Sequence, residues 1–109
     1  MLTIPITKPI GIYIFDGASP KREYGTETQQ VNDNGLSIWA VSCFVRQADS
    51  TRSESITVNV PSRTNPADSI QAFSPVGFEG FGVRTGRSSN GSWVAFWADR
   101  IGVQSQQQK

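Results

Sequence analysis

The chain has 109 residues, of which 37% are hydrophobic and 17% charged, with a net charge of +1. That length allows one domain and one core, and the apolar content excludes compositional disorder. Histidine is absent and Cys43 is the one cysteine. This excludes a Ser-His-Asp triad, histidine metal sites, a zinc cluster and an internal disulfide framework.

The opening MLTIPITKPIG has no charged start, apolar centre or small-residue cleavage site, so a secretory signal is not expected. No apolar run approaches the ~20 residues of a membrane helix. With a lone cysteine, these features point to the cytoplasm. Pro5 and Pro9 argue against a central strand in the first nine residues, and residues 1–20 leave room for one extra N-terminal strand. Ile10–Phe15 is a short β-rich run closed by Asp16, Gly17, Ser19 and Pro20. Glu23–Val31 is a polar strand candidate carrying Tyr24, and Asn32-Asp33-Asn34-Gly35 is a turn signal.

Leu36–Arg46 is the strongest strand, with apolar residues on both parities. Gln47–Arg52 is a polar loop. In Ser53–Val60, Ile56, Val58 and Val60 alternate with Ser55, Thr57 and Asn59. Asn65 as N-cap, Pro66 at the first helical position and Asp68 in the first turn predict a short helix ending by Phe73, before Ser74-Pro75. Val76–Arg84 is a glycine-rich strand, Asn90-Gly91 a second hairpin signal, and Ser92–Val103 the last strand. The polar tail, residues 104–109, is expected to be disordered.

This order predicts an all-β domain over residues 1–103, a five-stranded OB-type barrel with one short helix between strands 3 and 4. Val76-Gly77-Phe78-Glu79-Gly80-Phe81 and Ala98-Asp99-Arg100-Ile101 resemble the fourth strand and the end of the last strand in the single-stranded-DNA-binding protein (SSB) family. Gly35-Leu36-Ser37-Ile38-Trp39 is similar to the second strand of small OB proteins of actinobacterial plasmids and integrated elements. The resemblance covers residues 22–103 and implies binding of single-stranded DNA in replication or transfer of a plasmid or prophage. The chain departs from the SSB family in its tail, where Gln106-Gln107-Gln108-Lys109 replaces an acidic ending with a terminal Phe. Docking of partner proteins through the tail is therefore not expected.

No enzymatic chemistry is expected. Cys43 lies in an apolar strand with no histidine to activate it and reads as a structural thiol. Gly77, Gly80 and Gly82 lack the Gly-Lys-Ser/Thr ending of a phosphate loop and read as strand-bending residues. Asp16, Glu79 and Asp99 are scattered among strand ends. No cofactor or metal is implied, nor a small-molecule substrate or a membrane.

What remains is aromatics beside arginine, which supplies seven of the ten cationic residues. Bases stack on aromatic rings while cations follow phosphates. An OB barrel binds on its second and third strands and the flanking loops. The candidate binding residues are Trp39, Arg46, Arg52, Thr57, Asn59, Phe81, Arg84, Arg87 and Trp97. Alternation assigns Phe44, Phe78 and Phe96 to the core and Phe81 to the surface, and leaves Trp39 open between the two. Trp93 and Trp97 share a face, one of them being a candidate for a subunit interface, and a homodimer or homotetramer is expected. The alternative to DNA binding is a non-enzymatic protein–protein interaction module, such as a replication accessory or virion component.

Overall fold

The two longest ladders form where apolar alternation is cleanest. In the computed structural model, which describes residues 2–7, 11–21, 29–32, 34–46, 53–89 and 91–103, eight strands form one curled sheet. They are β1 (Leu2–Pro5), β2 (Ile12–Pro20), β3 (Ile38–Arg46), β4 (Ser53–Pro61), β5 (Pro75–Glu79), β6 (Gly82–Ser88), β7 (Gly91–Trp97) and β8 (Arg100–Val103). Their order is β1-β6-β7-β4-β3-β2-β5-β8. Every pairing is antiparallel except β4 with β7, where Val58 meets Phe96 and Asn59 meets Trp97.

The architecture is all-β, as expected, but it has eight strands rather than five. Three departures account for the difference. The predicted strand Val76–Arg84 breaks at Gly80-Phe81, and Ser92–Val103 breaks at Ala98-Asp99. At the first break Gly80 takes φ +65° with the Asp99 carboxylate packed against its Cα, where a Cβ would collide. The halves then pair crosswise, β5 with β8 and β6 with β7. The third departure is β1, an edge strand on β6, a position that tolerates Pro5.

The first long strand among the described residues is β2. It runs past the residues that read as its end because Asp16 is a bulge. Phe15 opposes Cys43 and Gly17 opposes Ser42, so the extra residue shifts the inward positions from Tyr13 and Phe15 to Ala18. Residues 23–28 of the strand candidate, the whole loop 47–52 with Arg52, and the tail 104–109 lie outside the described residues. Of the candidate's remainder, Val31 makes an isolated bridge to Ser37. The turn at Asn32 is as predicted: its Oδ1 accepts from the Asn34 and Leu36 amides, and Gly35 takes φ +78°.

There is no helix among the described residues. The segment Asn65–Phe73 starts as a capped helix would, with Asn65 Oδ1 accepting from Ala67 N at 2.9 Å. The bonds that follow, Asp68 N to Asn65 O and Ile70 N to Ala67 O, reach back three residues rather than four. The stretch is too short to repay helix nucleation. Instead Ala67 and Ile70 lodge against the core, and Phe73, at φ +69°, donates its N–H to Phe15 O. Nor is any helix long and apolar enough to cross a membrane among the described residues.

The core lies on one face of the curl. Val41, Val58, Val60, Val76 and Cys43 are fully buried, each aliphatic side chain contributing about 1.5–3 kcal/mol. An aromatic group closes it at the β5–β6 break. Phe81 stacks between Phe78 and Phe96, at 5.2 and 5.7 Å between ring centroids, and Tyr13 meets Phe78 and Phe81 edge-on. Phe81 is thus 8% exposed and belongs to the core, against the expectation. The turn at Gly80 interrupts the two-residue alternation, so parity counted through the break assigns Phe81 to the wrong face. Phe44 departs the other way. It opposes Ile14 and Ser55, on the sheet face away from Cys43 and Val45, and is half-buried.

Candidate nucleic-acid interface

The face of the sheet opposite the core carries most of the polar and aromatic side chains singled out in the sequence. On β3 it presents Ala40, Ser42, Phe44 and Arg46; on β4, Ser55, Thr57 and Asn59. Across the parallel pair, Asn59 is level with Trp97, and Trp93, Ala95 and Trp97 share this face along β7. Opposite them on β6 stand Gly86, Arg84 and Gly82.

The β6–β7 hairpin has a mirrored pattern about its turn. Gly82-Val83-Arg84-Thr85-Gly86 runs up one side and Trp93-Val94-Ala95-Phe96-Trp97 down the other. Each tryptophan therefore opposes a glycine and Arg84 opposes Ala95. The absent side chain at Gly86 makes room for the Trp93 indole, since a Cβ there would lie 2.6 Å from Trp93 Cζ2. The Arg84 guanidinium sits 4.1 Å from the Trp97 ring centroid. A cation over an indole contributes about 0.5–1 kcal/mol at such a half-exposed site. The result is a row of indole, guanidinium and indole along one face, with Trp93 exposed and Trp97 and Arg84 half-buried.

β4 and β7 share a ladder only at Val58–Phe96 and Asn59–Trp97. On the N-terminal side of that contact, residues 53–57 of β4 and 91–95 of β7 have no pairing in common. The two strands form the sides of a notch whose vertex is Asn59 beside Trp97. Asn59 is 5% exposed, and its Oδ1 has no hydrogen-bond partner among the described residues. A buried acceptor left unmade costs about 1–3 kcal/mol.

Of the nine candidates, the structure brings Asn59, Thr57, Trp97 and Arg84 together on this face, with Arg46 exposed at its far end. Arg87 is exposed near the hairpin turn, on the parity opposite to Arg84. Trp39 is elsewhere. Its register partners Pro20 and Val60 belong to the core-facing rows, and its Nε1 donates to Ser62 O at 3.1 Å. Phe81 is in the core and Arg52 is outside the described residues. Trp93 is the residue that sequence reasoning left out of the site. The mirrored Gly-x-Arg-x-Gly and Trp-x-Ala-x-Trp spacing about Asn90-Gly91 would have found it.

No three His, Cys, Asp or Glu side chains converge among the described residues. The Cys43 thiol is buried beside the Asp16 bulge. Burial first, and then the negative charge of Asp16, push it up to about 12. No protein-family model, curated protein or solved structure matches this chain. The functional reading rests on this face alone.

Proposed function

We propose that this chain is an OB-type barrel that binds single-stranded DNA with little sequence specificity. The observation that carries the reading is the row Trp93–Arg84–Trp97 beside the polar face of β3 and β4. Bases stack on such indoles whatever their identity, and guanidinium groups follow the phosphates. The path of the chain supports the same reading. With β5–β6 and β7–β8 taken as two bent arms, the ladder runs β2–β3–β4–(β7–β8)–(β5–β6) and returns to β2 through the pairs Tyr13–Val76 and Ile14–Pro75. Five arms in a Greek-key path, with the binding face on the second and third and a hairpin beside it, is the OB plan. The resemblance of residues 76–81 and 98–101 to the SSB family agrees with it.

The chain acts as a homo-oligomer in this reading. On the opposite face of the hairpin, Val94 of β7 and Leu2 and Ile4 of the adjoining β1 are exposed, a surface suited to a second copy.

Titration with oligo-dT tests the proposal. Tryptophan fluorescence is expected to be quenched as Trp93 and Trp97 stack on bases. Affinity should fall with salt at a log–log slope of about −3, from about four phosphate contacts by Arg46, Arg52, Arg84 and Arg87 at ~0.7 each. Changing Arg84 and Arg87 together to Ala should reduce the slope by about half and leave the domain folded, because Arg87 is exposed and the cation–π contact of Arg84 contributes only about 0.5–1 kcal/mol. Absence of both quenching and a mobility shift at low salt would overturn the reading and favour the protein-interaction module.

A further inference from the structure

Asn59 is the one buried polar or charged side chain among the described residues, and its carbonyl oxygen is unpaired at the vertex of the notch. Its neighbours across the two ladders are Trp97 and Ala40. Neither side chain can satisfy that oxygen from where it stands: alanine carries no donor, and the Trp97 ring is engaged by Arg84. The acceptor is therefore held ready beside an aromatic ring, in the place where the proposed function puts a stacked base. A ring held by a cation–π contact is lightly restrained. A phosphate that takes the Arg84 guanidinium frees the indole to swing and uncovers the amide.

We propose that Asn59 reads the stacked base, accepting a hydrogen bond from an exocyclic amino group, which cytosine, adenine and guanine carry and thymine lacks. This rests on the single-stranded-DNA reading and refines it, since it adds a preference to an otherwise sequence-tolerant face. The chemistry selects the base. Deoxyribose and phosphate carry no donor at pH 7, so the bond must come from a base edge. The amino protons of cytosine N4, adenine N6 and guanine N2 project beyond the ring. The N3–H of thymine is recessed between two carbonyl oxygens and reaches a buried acceptor less readily.

The test compares oligo-dC and oligo-dT of equal length at one salt concentration. Oligo-dC should bind about tenfold tighter, the discrimination one well-made base contact supplies. Asn59→Val should bring the ratio to about one and leave the salt slope unchanged. A probe that does not depend on the variant folding is an oligomer of N4,N4-dimethylcytosine, which keeps the ring and loses both amino protons. It should bind the wild-type chain no better than oligo-dT. Equal binding of oligo-dC and oligo-dT overturns the inference, as does a preference that survives either dimethylation or Asn59→Val. Failure of every oligomer to bind overturns instead the single-stranded-DNA reading beneath it.

Discussion

At the scale of single residues, burial decides more than chemical type. Cys43 was legible as a structural thiol from its place in an apolar strand, and the structure adds the bulge that sets Asp16 against it. Its pKa rises from 9.0 to about 12 on folding. The folded chain thus holds a proton that the unfolded chain releases above pH 9.0. The associated stability is fully present below pH 9.0 and is lost progressively as pH rises toward about 12. Urea midpoints of the wild type and Cys43→Ala should therefore converge between pH 8 and pH 11, although the alanine variant is the less stable at neutral pH. A constant gap across that range would show that Cys43 does not ionise on unfolding. Glycine is the second case. The Cβ of Gly86→Ala would meet the Trp93 ring, which is exposed and can swing away. The expected outcome is a stability change under about 1 kcal/mol, with a shifted Trp93 emission and weaker binding of oligo-dT. An unchanged emission spectrum would show that the ring does not depend on that glycine.

At the scale of elements, alternation made the strands legible and the interruptions hid the rest. β3 and β4 stand within two residues of their predicted bounds because each presents a continuous valine-rich row to the core. Single residues that reset the two-residue period were not legible: the extra Asp16 in β2 and the left-handed Gly80 between β5 and β6. Each reads equally well as a strand end, and only the partner strand reveals that the ladder resumes. The same limit misplaced Phe81, whereas Trp93 was left out of the site although its face was read correctly. The predicted helix failed for a different reason. Its cap was real, but the bonds that the Phe73 N–H donates to Phe15 O and the Phe15 N–H donates to Ser74 O claim the chain before a second turn can form. They hold Phe73 at φ +69° with its ring 69% exposed. The left-handed conformation costs a non-glycine residue about 1–2 kcal/mol, whereas glycine costs about 0.5–1 kcal/mol in unfolded-state entropy. With little burial to lose, Phe73→Gly should stabilise the domain by roughly 0.5–1 kcal/mol. A lower melting temperature would mean that the exposed ring contributes more than its surroundings suggest.

At the scale of the whole molecule, the two faces of the β6–β7 hairpin divide the work. One bears the Trp93–Arg84–Trp97 row; the other aligns Leu2, Thr85 and Val94 in one rung and Ile4, Val83 and Phe96 in the next. Leu2, Ile4 and Val94 remain exposed there, and among the described residues β1 ends the sheet on that side. Natural edge strands are commonly guarded by charge, yet Leu2-Thr3-Ile4-Pro5 carries none and has proline only at its last position. An uncharged edge beside an apolar face matches a second copy of itself. Two β1 strands meeting antiparallel about a two-fold axis would extend both sheets and cover both faces. The wild-type chain should therefore sediment as a dimer or larger species at tens of micromolar. Ile4→Lys combined with Val94→Lys should yield a monomer with unchanged far-ultraviolet circular dichroism, because both positions are solvent-facing in the single chain. The same double variant should still quench with oligo-dT, since the tryptophan row lies on the other face. A wild type that stays strictly monomeric would remove the self-association proposal. A double variant that loses DNA binding while remaining folded would show that the two faces do not act independently.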